Sequence, residues 1–315
     1  MSKKVSIVGV GNVGASIAFG LAVSGKIPDI LLVDINKDKA DGEALDIQQG
    51  TPFAHPVIVH SGEYSDVKDS DVIIYAAGIA RKPGQTRLDL AQTNIDIMKQ
   101  VMPEIIKYAP NALYVVVTNP VDILTYALIK NYSLSEKQVI GTGTILDTSR
   151  LRSALAEHVA MNPKNIHAYV FGEHGDSLFI PWSLTCIGGL EMSRYCTFIC
   201  DRHNQCGKLD LQKIETFVRT SGATVISKKG ATYYAIAMSV MQIIDCIYQD
   251  MDTMITVSGM INNRYGVSDV CLSLPFVLGR NGISREVTPP MLPEEIEKLQ
   301  NSANVLKKFI SELNI

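Results

Sequence analysis

The chain is 315 residues long, with 46% hydrophobic residues, 19% charged residues and a formal net charge of −3. This composition excludes a disordered chain, and the near balance of charges gives no reason to expect nucleic acid or an anionic membrane as a partner. No apolar run approaches the roughly 18 residues that a membrane-spanning helix needs. The first strand pattern begins at Val5, so close behind Met1 that we expect no signal peptide and a cytoplasmic protein.

The cysteines lie only in the second half of the chain, without the regular framework of a disulfide-rich domain. They also lack the paired short spacings and histidines of a zinc site, so we expect no bound metal. Free thiols in a reducing compartment are the expected state. The six positions are Cys186, Cys196, Cys200, Cys206, Cys246 and Cys271.

Short apolar runs alternate with helix-length segments in the first half of the chain. Strands are predicted over 5–10, 30–34, 57–60, 71–76 and 113–118, and helices over 13–24, 37–48 and 88–108. Strands that alternate with helices form a parallel sheet covered on both faces. The sequence therefore predicts an α/β fold, with a doubly wound (Rossmann) domain over residues 1–142.

The pattern becomes mixed in the second half. A helix is predicted over 147–159, strands over 166–170 and 267–275, and a closing amphipathic helix over 293–313. This mixture predicts an α+β substrate domain over residues 143–315.

A glycine-rich turn, Gly9–Gly14, joins the first predicted strand to the first helix. Such a turn alone is weak evidence of a binding site, but Asp34 ends the next strand 20 residues after Gly14. In a dinucleotide site, Gly9 permits the tight turn, Gly11 lets the backbone approach a pyrophosphate, and Gly14 lets the helix pack closely. Asp34 would bind the adenosine ribose hydroxyls and repel a 2′-phosphate. The motif therefore predicts NAD rather than NADP, against the alternative of a purely structural turn.

A basic segment follows the strand predicted over 71–76. It contains Arg81, Lys82 and Arg87 together with a proline and a glycine. Ligands of open α/β sheets bind beyond the carboxyl ends of the strands, so the segment is typical of a charged flap over an anionic ligand. The alternative is a solvated basic loop.

Polar residues in three further segments are candidates for chemistry. Asn119 follows a predicted strand, Asp147 and Arg150 share one helix face, and His174 lies between two glycines. Hydride transfer to a carbonyl needs a proton partner that titrates near neutral pH, which favours His174. A carboxylate such as Asp147 could orient the imidazole. The alternatives are a structural histidine and a surface ion pair between Asp147 and Arg150.

Seven segments together resemble the lactate/malate dehydrogenase family over nearly the whole chain, and most closely its bacterial L-lactate dehydrogenases. The segments are Gly9–Gly14, Arg81–Leu90, Val117–Asp122, Gly141–Arg152, Gly172–Ser177, Lys229–Ile236 and Asp269–Gly282.

The resemblance implies a role for each matching residue. His174 would be the proton donor and acceptor, with Asp147 as its partner, and Arg150 would bind the substrate carboxylate bidentately. Arg87 would polarise the ketone when the flap closes, and Asn119 would bond the substrate oxygen or the cofactor. Thr232 is a further substrate residue, and the remaining cofactor residues are Val13, Gly78 and Val117.

The substrate is predicted from two opposing signals. Arg81 occupies a position where the resemblance implies Gln for lactate enzymes and Arg for malate enzymes. Gln85 stands where related lactate enzymes often have Glu, so it makes the flap less negative than theirs. Both residues favour a dicarboxylate substrate. Glu173, Thr232 and most of the matching segments resemble lactate dehydrogenases. We therefore predict an NAD-dependent L-lactate dehydrogenase that converts pyruvate and NADH to L-lactate and NAD. The alternatives are malate or dual specificity and, in a different class, a non-catalytic NAD-binding protein.

The resemblance also implies regulation and assembly. Arg152 and His167 match positions where allosteric bacterial members bind fructose 1,6-bisphosphate, which predicts this effector and a homotetramer. The alternative is a solvated arginine beside an ordinary strand histidine. The segment Glu191–Lys208, which carries clustered cysteines, departs from the family pattern and is predicted to be a small insertion.

Overall fold

The computed structural model describes residues 3–80, 84, 86–198 and 209–315. The strands are β1 (Lys4–Val8), β2 (Asp29–Val33), β3 (Ile58–Ser61), β4 (Val72–Tyr75), β5 (Leu113–Val116), β6 (Val139–Gly141), β7 (Ile166–His167), β8 (Cys186–Ile187), β9 (Leu190–Glu191), β10 (Thr253–Ile261), β11 (Val270–Gly279) and β12 (Gly282–Glu286). The helices are α1 (Asn12–Ser24), α2 (Lys37–Gly50), α3 (Arg87–Tyr108), α4 (Val121–Asn131), α5 (Ile145–His158), α6 (Met192–Phe198), α7 (Leu211–Lys229), α8 (Tyr234–Tyr248) and α9 (Pro293–Ser311).

The first six strands form a parallel sheet in the order β3-β2-β1-β4-β5-β6. The middle strands β4 and β5 are buried along their whole length, because helices cover both faces of the sheet. This order is that of a doubly wound dinucleotide-binding fold, and it confirms the predicted Rossmann domain.

The last three strands of the chain extend the same sheet. β10 lies antiparallel beside β6, where Ser258 pairs with Gly141, and β11 and β12 follow in antiparallel order. They join the sheet because the outer edge of β6 offers unpaired backbone groups that β10 satisfies. The sequence pattern identified a strand in this region but not the sheet to which it belongs.

The strand predicted over 166–170 is shorter than expected, because only Ile166–His167 forms β7. The backbone N–H of Val170 instead donates to the Thr148 hydroxyl on α5, and Phe171 pairs with Phe179. These contacts turn the chain away from the small sheet β7-β8-β9 and towards the first helix turn of α5.

Two hydrophobic cores support the fold. The larger one follows the nine-stranded sheet, with α1, α2 and α8 grouped on one face and α3, α4 and α9 on the other. The smaller one joins α5 and α7 to the three-stranded sheet through Leu151, Ile166, Ile187 and Val218. Within the described ranges, no helix combines the length and the apolar character that crossing a bilayer requires.

Candidate active site

The glycine-rich turn lies between β1 and α1, and two of its glycines are required by close packing. Gly9 has φ +97°, and a Cβ there would lie 2.3 Å from the backbone N of Ala77. A Cβ on Gly14 would lie 2.0 Å from the carbonyl O of Gly9. At Gly11, by contrast, a Cβ would meet nothing within 4 Å. This open face, beside a first helix turn that no side chain caps, fits a pyrophosphate.

Asp34 follows β2 and faces the same turn. Its Oδ2 accepts the backbone N–H of Val10 at 2.6 Å, and its Oδ1 accepts that of Asn36 at 2.9 Å. The carboxylate is therefore fixed next to the glycine loop, with lone pairs left to accept ribose hydroxyls. Its charge at this place disfavours a 2′-phosphate, as the sequence predicted.

The loops after β4 and β5 lie against each other beside this turn. A Cβ on Gly78 would lie 2.5 Å from Cγ2 of Thr118, so only glycine fits there. Val117 is buried at the end of β5, and Val13 is half-buried on α1. The predicted cofactor residues thus border one surface at the carboxyl ends of β1, β4 and β5.

Asn94, which sequence analysis missed, joins these two loops. Its Oδ1 accepts the backbone N–H of Ile79 at 2.9 Å, and its Nδ2 donates to the carbonyl O of Asn119 at 2.7 Å. The residue is fully buried on α3. An amide on the otherwise apolar stripe of Ala91 and Ile95 was the available signal, because a buried amide needs fixed partners.

His174, Asp147 and Arg150 form one hydrogen-bonded group. The Nδ1 of His174 lies 2.6 Å from Oδ2 of Asp147, and Nη1 of Arg150 donates to Oδ1 of Asp147 at 2.8 Å. The side chain of Asp147 is 3% exposed and that of Arg150 15%, so the alternative of a surface ion pair is wrong. With Nδ1 engaged, Nε2 is the imidazole nitrogen left for a substrate.

In this group, each charged side chain stabilises the charged form of its partner. Burial would raise the pKa of Asp147, but contact with His174 and Arg150 holds it below its usual value. Burial would lower the pKa of His174, but the carboxylates of Asp147 and Asp122 raise it above its usual value. The two contacts therefore favour the protonated form of the imidazole.

Arg87 begins α3 and contacts the segment that carries His174. Its Nη2 lies 2.8 Å from Oδ2 of Asp176, and its Nη1 lies 3.9 Å from Oε1 of Glu173. Thr86 caps the helix by accepting the N–H of Asp89. The structure thus brings Arg87 to the histidine loop, while its side chain remains 42% exposed.

A cavity of about 550 Å³ lies between α5, α7 and α8. Arg150 and Thr232, both predicted to bind substrate, line it together with Lys229. No carboxylate is among the lining residues that the structure describes, so the cavity favours an anion. A Cβ on Gly222 of α7 would lie 3.5 Å from Nη2 of Arg150, which marks how close this wall comes to the guanidinium.

Arg152, the predicted effector residue, makes intramolecular contacts. Its Nε donates to the carbonyl O of Ala168 at 3.0 Å, and its guanidinium lies 5.2 Å from the ring centroid of Tyr169. Burial lowers its pKa. His167 on β7 is exposed and immediately precedes Ala168 and Tyr169 in the chain. Arg152 is thus partly buried rather than the solvated arginine of the alternative.

Several predicted features lie outside the described residues. Arg81, Lys82 and Gln85 of the flap are among them, and so is most of the cysteine-bearing segment. Cys246 and Cys271 are buried free thiols, and Cys186 is a partly buried one. In the described part of the chain, no group of three or more His, Cys, Asp or Glu residues could hold a metal ion.

Known proteins resemble the chain along its whole length. The profile of the lactate/malate dehydrogenase NAD binding domain matches residues 3–141, and that of the alpha/beta C-terminal domain of the same family matches residues 144–314. The chain belongs to the lactate/malate dehydrogenase family. The match to an NAD binding domain confirms both the predicted family and the predicted cofactor.

Individual relatives in this family agree. The L-lactate dehydrogenase of Thermoanaerobacterium saccharolyticum is 48% identical over 312 residues, which cover 99% of each chain. The L-lactate dehydrogenase of Acetivibrio thermocellus is 44% identical over 99% of this chain and 98% of the relative. The crystal structure of the minor L-lactate dehydrogenase from Enterococcus mundtii superimposes with a TM-score of 0.94 at 36% identity, covering 100% of this chain and 99% of that one.

The position of Asp34 predicts cofactor selectivity. We expect Asp34→Ser to weaken NADH binding and to raise the NADPH-to-NADH affinity ratio by about tenfold, since one charge-assisted contact is lost and one repulsion removed. Fluorescence titration with both cofactors measures this. Asp38→Ser, on the exposed first turn of α2, is the matched control for net charge. An affinity ratio that moves equally in both variants would contradict the assignment.

Proposed function

We propose that the protein is an NAD-dependent L-lactate dehydrogenase, which reduces pyruvate to L-lactate. The observation that carries this proposal is the contact of 2.6 Å between His174 and Asp147, on the same carboxylate that binds Arg150 beside the cavity. These groups supply a proton and a cationic anchor for a small 2-oxo acid. The names of the relatives support lactate rather than malate chemistry. The expected cytoplasmic location belongs to the same proposal.

NAD fits the open face at Gly11, the uncapped first turn of α1 and the carboxylate of Asp34. When bound, NADH supplies the hydride that the carbonyl carbon C2 of pyruvate accepts. The N–H groups of the α1 turn would hold the pyrophosphate, and Asp34 the adenosine ribose. Asn119, after β5, would orient the substrate or the nicotinamide end.

His174 transfers the proton. Protonated at Nε2, it donates to the oxygen on C2 as the carbon gains the hydride, so the products are L-lactate and NAD⁺. Asp147 accepts the Nδ1–H, which fixes the tautomer and stabilises the imidazolium before transfer. In the reverse direction the neutral imidazole takes the hydroxyl proton of lactate.

The arginines bind and polarise the substrate. Arg150, fixed by Asp147, offers its planar fork to the substrate carboxylate, and Thr232 lines the same cavity. Arg87 must leave Asp176 to reach the carbonyl oxygen, where its charge stabilises the developing alkoxide. This convergent set favours catalysis over a purely NAD-binding role.

Malate dehydrogenase activity is the second candidate because of Arg81. A guanidinium on the flap could pair with the distal carboxylate of oxaloacetate, whereas pyruvate offers only a methyl group. Glu173 and the identities to lactate dehydrogenases favour pyruvate. The two substrates therefore need a direct comparison.

Proton donation by His174 should make the reaction depend on pH. In the wild type, kcat/KM for pyruvate should fall as pH rises through the pKa of His174, because only the protonated imidazole can donate. In Asp147→Asn this pKa falls, so the decline should begin at lower pH, and kcat should drop by about 10²–10⁴-fold. Steady-state assays from acid to alkaline pH measure both. Glu157→Gln, exposed on the same helix, is the control. If the pH profile of Asp147→Asn shifted no more than that of Glu157→Gln, the assigned pairing would be refuted.

Arg81 should influence the choice between pyruvate and oxaloacetate. Arg81→Gln should lower kcat/KM for oxaloacetate relative to pyruvate by on the order of 10–100-fold, the value of one charge-assisted contact. Lys82→Gln, a neighbouring cation, should leave the ratio unchanged. A wild-type preference for oxaloacetate that Arg81→Gln reverses would instead establish malate dehydrogenase activity.

We further propose a homotetramer that responds to fructose 1,6-bisphosphate through Arg152 and His167. An effector phosphate would compete with the Ala168 carbonyl for the Arg152 guanidinium. The effector should lower KM for pyruvate severalfold in the wild type and in Lys164→Gln, but not in Arg152→Gln. Kinetics at several pH values, together with sedimentation, check this. A response equal in all three proteins, or absent from all, would remove Arg152 from the proposal.

A further inference from the structure

The buried carboxylate of Asp122 takes part in none of the steps described above, beyond raising the pKa of His174. Asp122 is the second residue of α4, shortly after the loop that carries Asn119, and only 3% of it is exposed. Its Oδ2 accepts the backbone N–H of His174 at 2.7 Å, across 52 positions of the chain. A buried charge is costly unless its surroundings use it, so this contact calls for a reason.

His174 is held by carboxylates from two different helices. Asp122 of α4 accepts its backbone N–H, and Asp147 of α5 contacts the ring Nδ1 at 2.6 Å. The backbone contact sets where the side chain begins, and the ring contact sets how the imidazole is turned. Together the two contacts place Nε2, in addition to the backbone bonds that hold the preceding residues Gly172 and Glu173.

Asp122 also connects the histidine to Asn119. Asn119 lies three residues earlier, and its Oδ1 accepts the backbone N–H of Val121 at 3.3 Å. From the other side, Asn94 donates to the Asn119 carbonyl O. The separation of the Asn119 amide from His174 is therefore set through Asp122, by a short helix turn and one hydrogen bond. Small errors in such separations reduce rates strongly.

The second oxygen of Asp122 indicates that its charge matters as well. Oδ1 is buried without a hydrogen bond of good geometry, and so is the hydroxyl of Ser258 on β10. Burial is the main cause that raises the pKa of Asp122 to about 6, and the charge of Glu173 adds to it. The Ser258 hydroxyl and the N–H and imidazole of His174 act in the opposite direction and lower this pKa. An amide could accept the same N–H without this cost of burial.

Titratable groups on two further elements also face Asp122 and His174. Cys271 on β11 faces the carboxylate, and its own pKa is raised well above the usual value by burial and by Asp122. From α5, Asp147 and Arg150 face His174, the first raising and the second lowering its pKa. Asp122 adds to the effect of Asp147, from the backbone side of the histidine.

We propose that Asp122 is a positioning residue for the proton donor. It anchors the His174 loop against the Asn119 loop and places a second negative charge behind the imidazolium. The role rests on the proposed function, which gives His174 and Asn119 their contacts with the substrate.

Three variants test this role. Asp122→Asn keeps an oxygen acceptor for the His174 N–H and removes the charge, whereas Asp122→Ala removes both. Thr125→Val is the matched control: its hydroxyl, fully buried on the same helix, donates to the Val121 carbonyl O one turn earlier. NADH affinity, kcat and KM for pyruvate across pH, and the unfolding temperature are measured for each.

In Asp122→Asn, NADH affinity should stay within about twofold and the alkaline decline of kcat/KM should move to lower pH by about half a unit or more, because the pKa of His174 falls. Asp122→Ala should lose about 100-fold in kcat with NADH binding retained. At acid pH, kcat of Asp122→Asn should be close to that of the wild type.

The pKa of Asp122 is raised in the folded state, so its contribution to the stability of the fold is lost as pH rises towards 6. Asp122→Asn should accordingly unfold no earlier than the wild type at pH 7.

Carbethoxylation of His174 by diethyl pyrocarbonate, followed by mass spectrometry, gives a readout that does not require activity. The reagent attacks the neutral imidazole, so its rate against pH reports the pKa of His174. A midpoint lower in Asp122→Asn than in Thr125→Val supports the role even if neither pyruvate nor oxaloacetate is reduced, a result that would overturn only the proposed function. Unchanged midpoints and pH profiles in Asp122→Asn would overturn the role, and so would losses that merely follow the unfolding temperature.

Discussion

The proposed active site depends on one buried carboxylate that contacts two basic side chains. Asp147, almost fully shielded from water, accepts from Arg150 and contacts His174 through different oxygens. Removing a carboxylate from water is expensive, and only close, well-aligned partners offset the cost. In the proposed function both partners also bind the 2-oxo acid, so the contact that makes burial tolerable also fixes the spacing between the proposed proton donor and the proposed anionic anchor.

The fold holds that carboxylate rigidly from two sides. α5 begins at the end of β6, beside β10, and its far face packs with α7 and the three-stranded sheet in the smaller core. The histidine loop is joined to this arrangement by its backbone: Gly172 pairs with Ser273 of β11, and the N–H of Glu173 donates to the Ser302 hydroxyl of α9. Catalytic groups distant in sequence thus share supports in the sheet.

Local sequence signals were sufficient for the dinucleotide half. Gly9, Gly14 and Asp34 follow from the geometry of a single strand–turn–helix unit, which a short segment specifies. Asn94 and Asp122 could not be predicted in the same way, because their partners lie in loops that only the tertiary fold brings near. The pairing of β10 with β6 was equally hidden, since a strand pattern reports burial and alternation but not which neighbour supplies the hydrogen bonds. Recognition of His174 and Arg150 needed the family resemblance as well as the residues.

The extension of the parallel sheet by β10, β11 and β12 has a consequence for the evolution and engineering of the chain. Separated from these strands, the nucleotide half would present β6 as an open sheet edge, a template for self-association. The short pairing of Ser258 with Gly141 therefore covers the edge of β6, in addition to fixing the register between the two halves. Halves taken from different family members would combine into a folded chain only if the pairing of β6 with β10 is preserved, even if their substrate pockets are compatible.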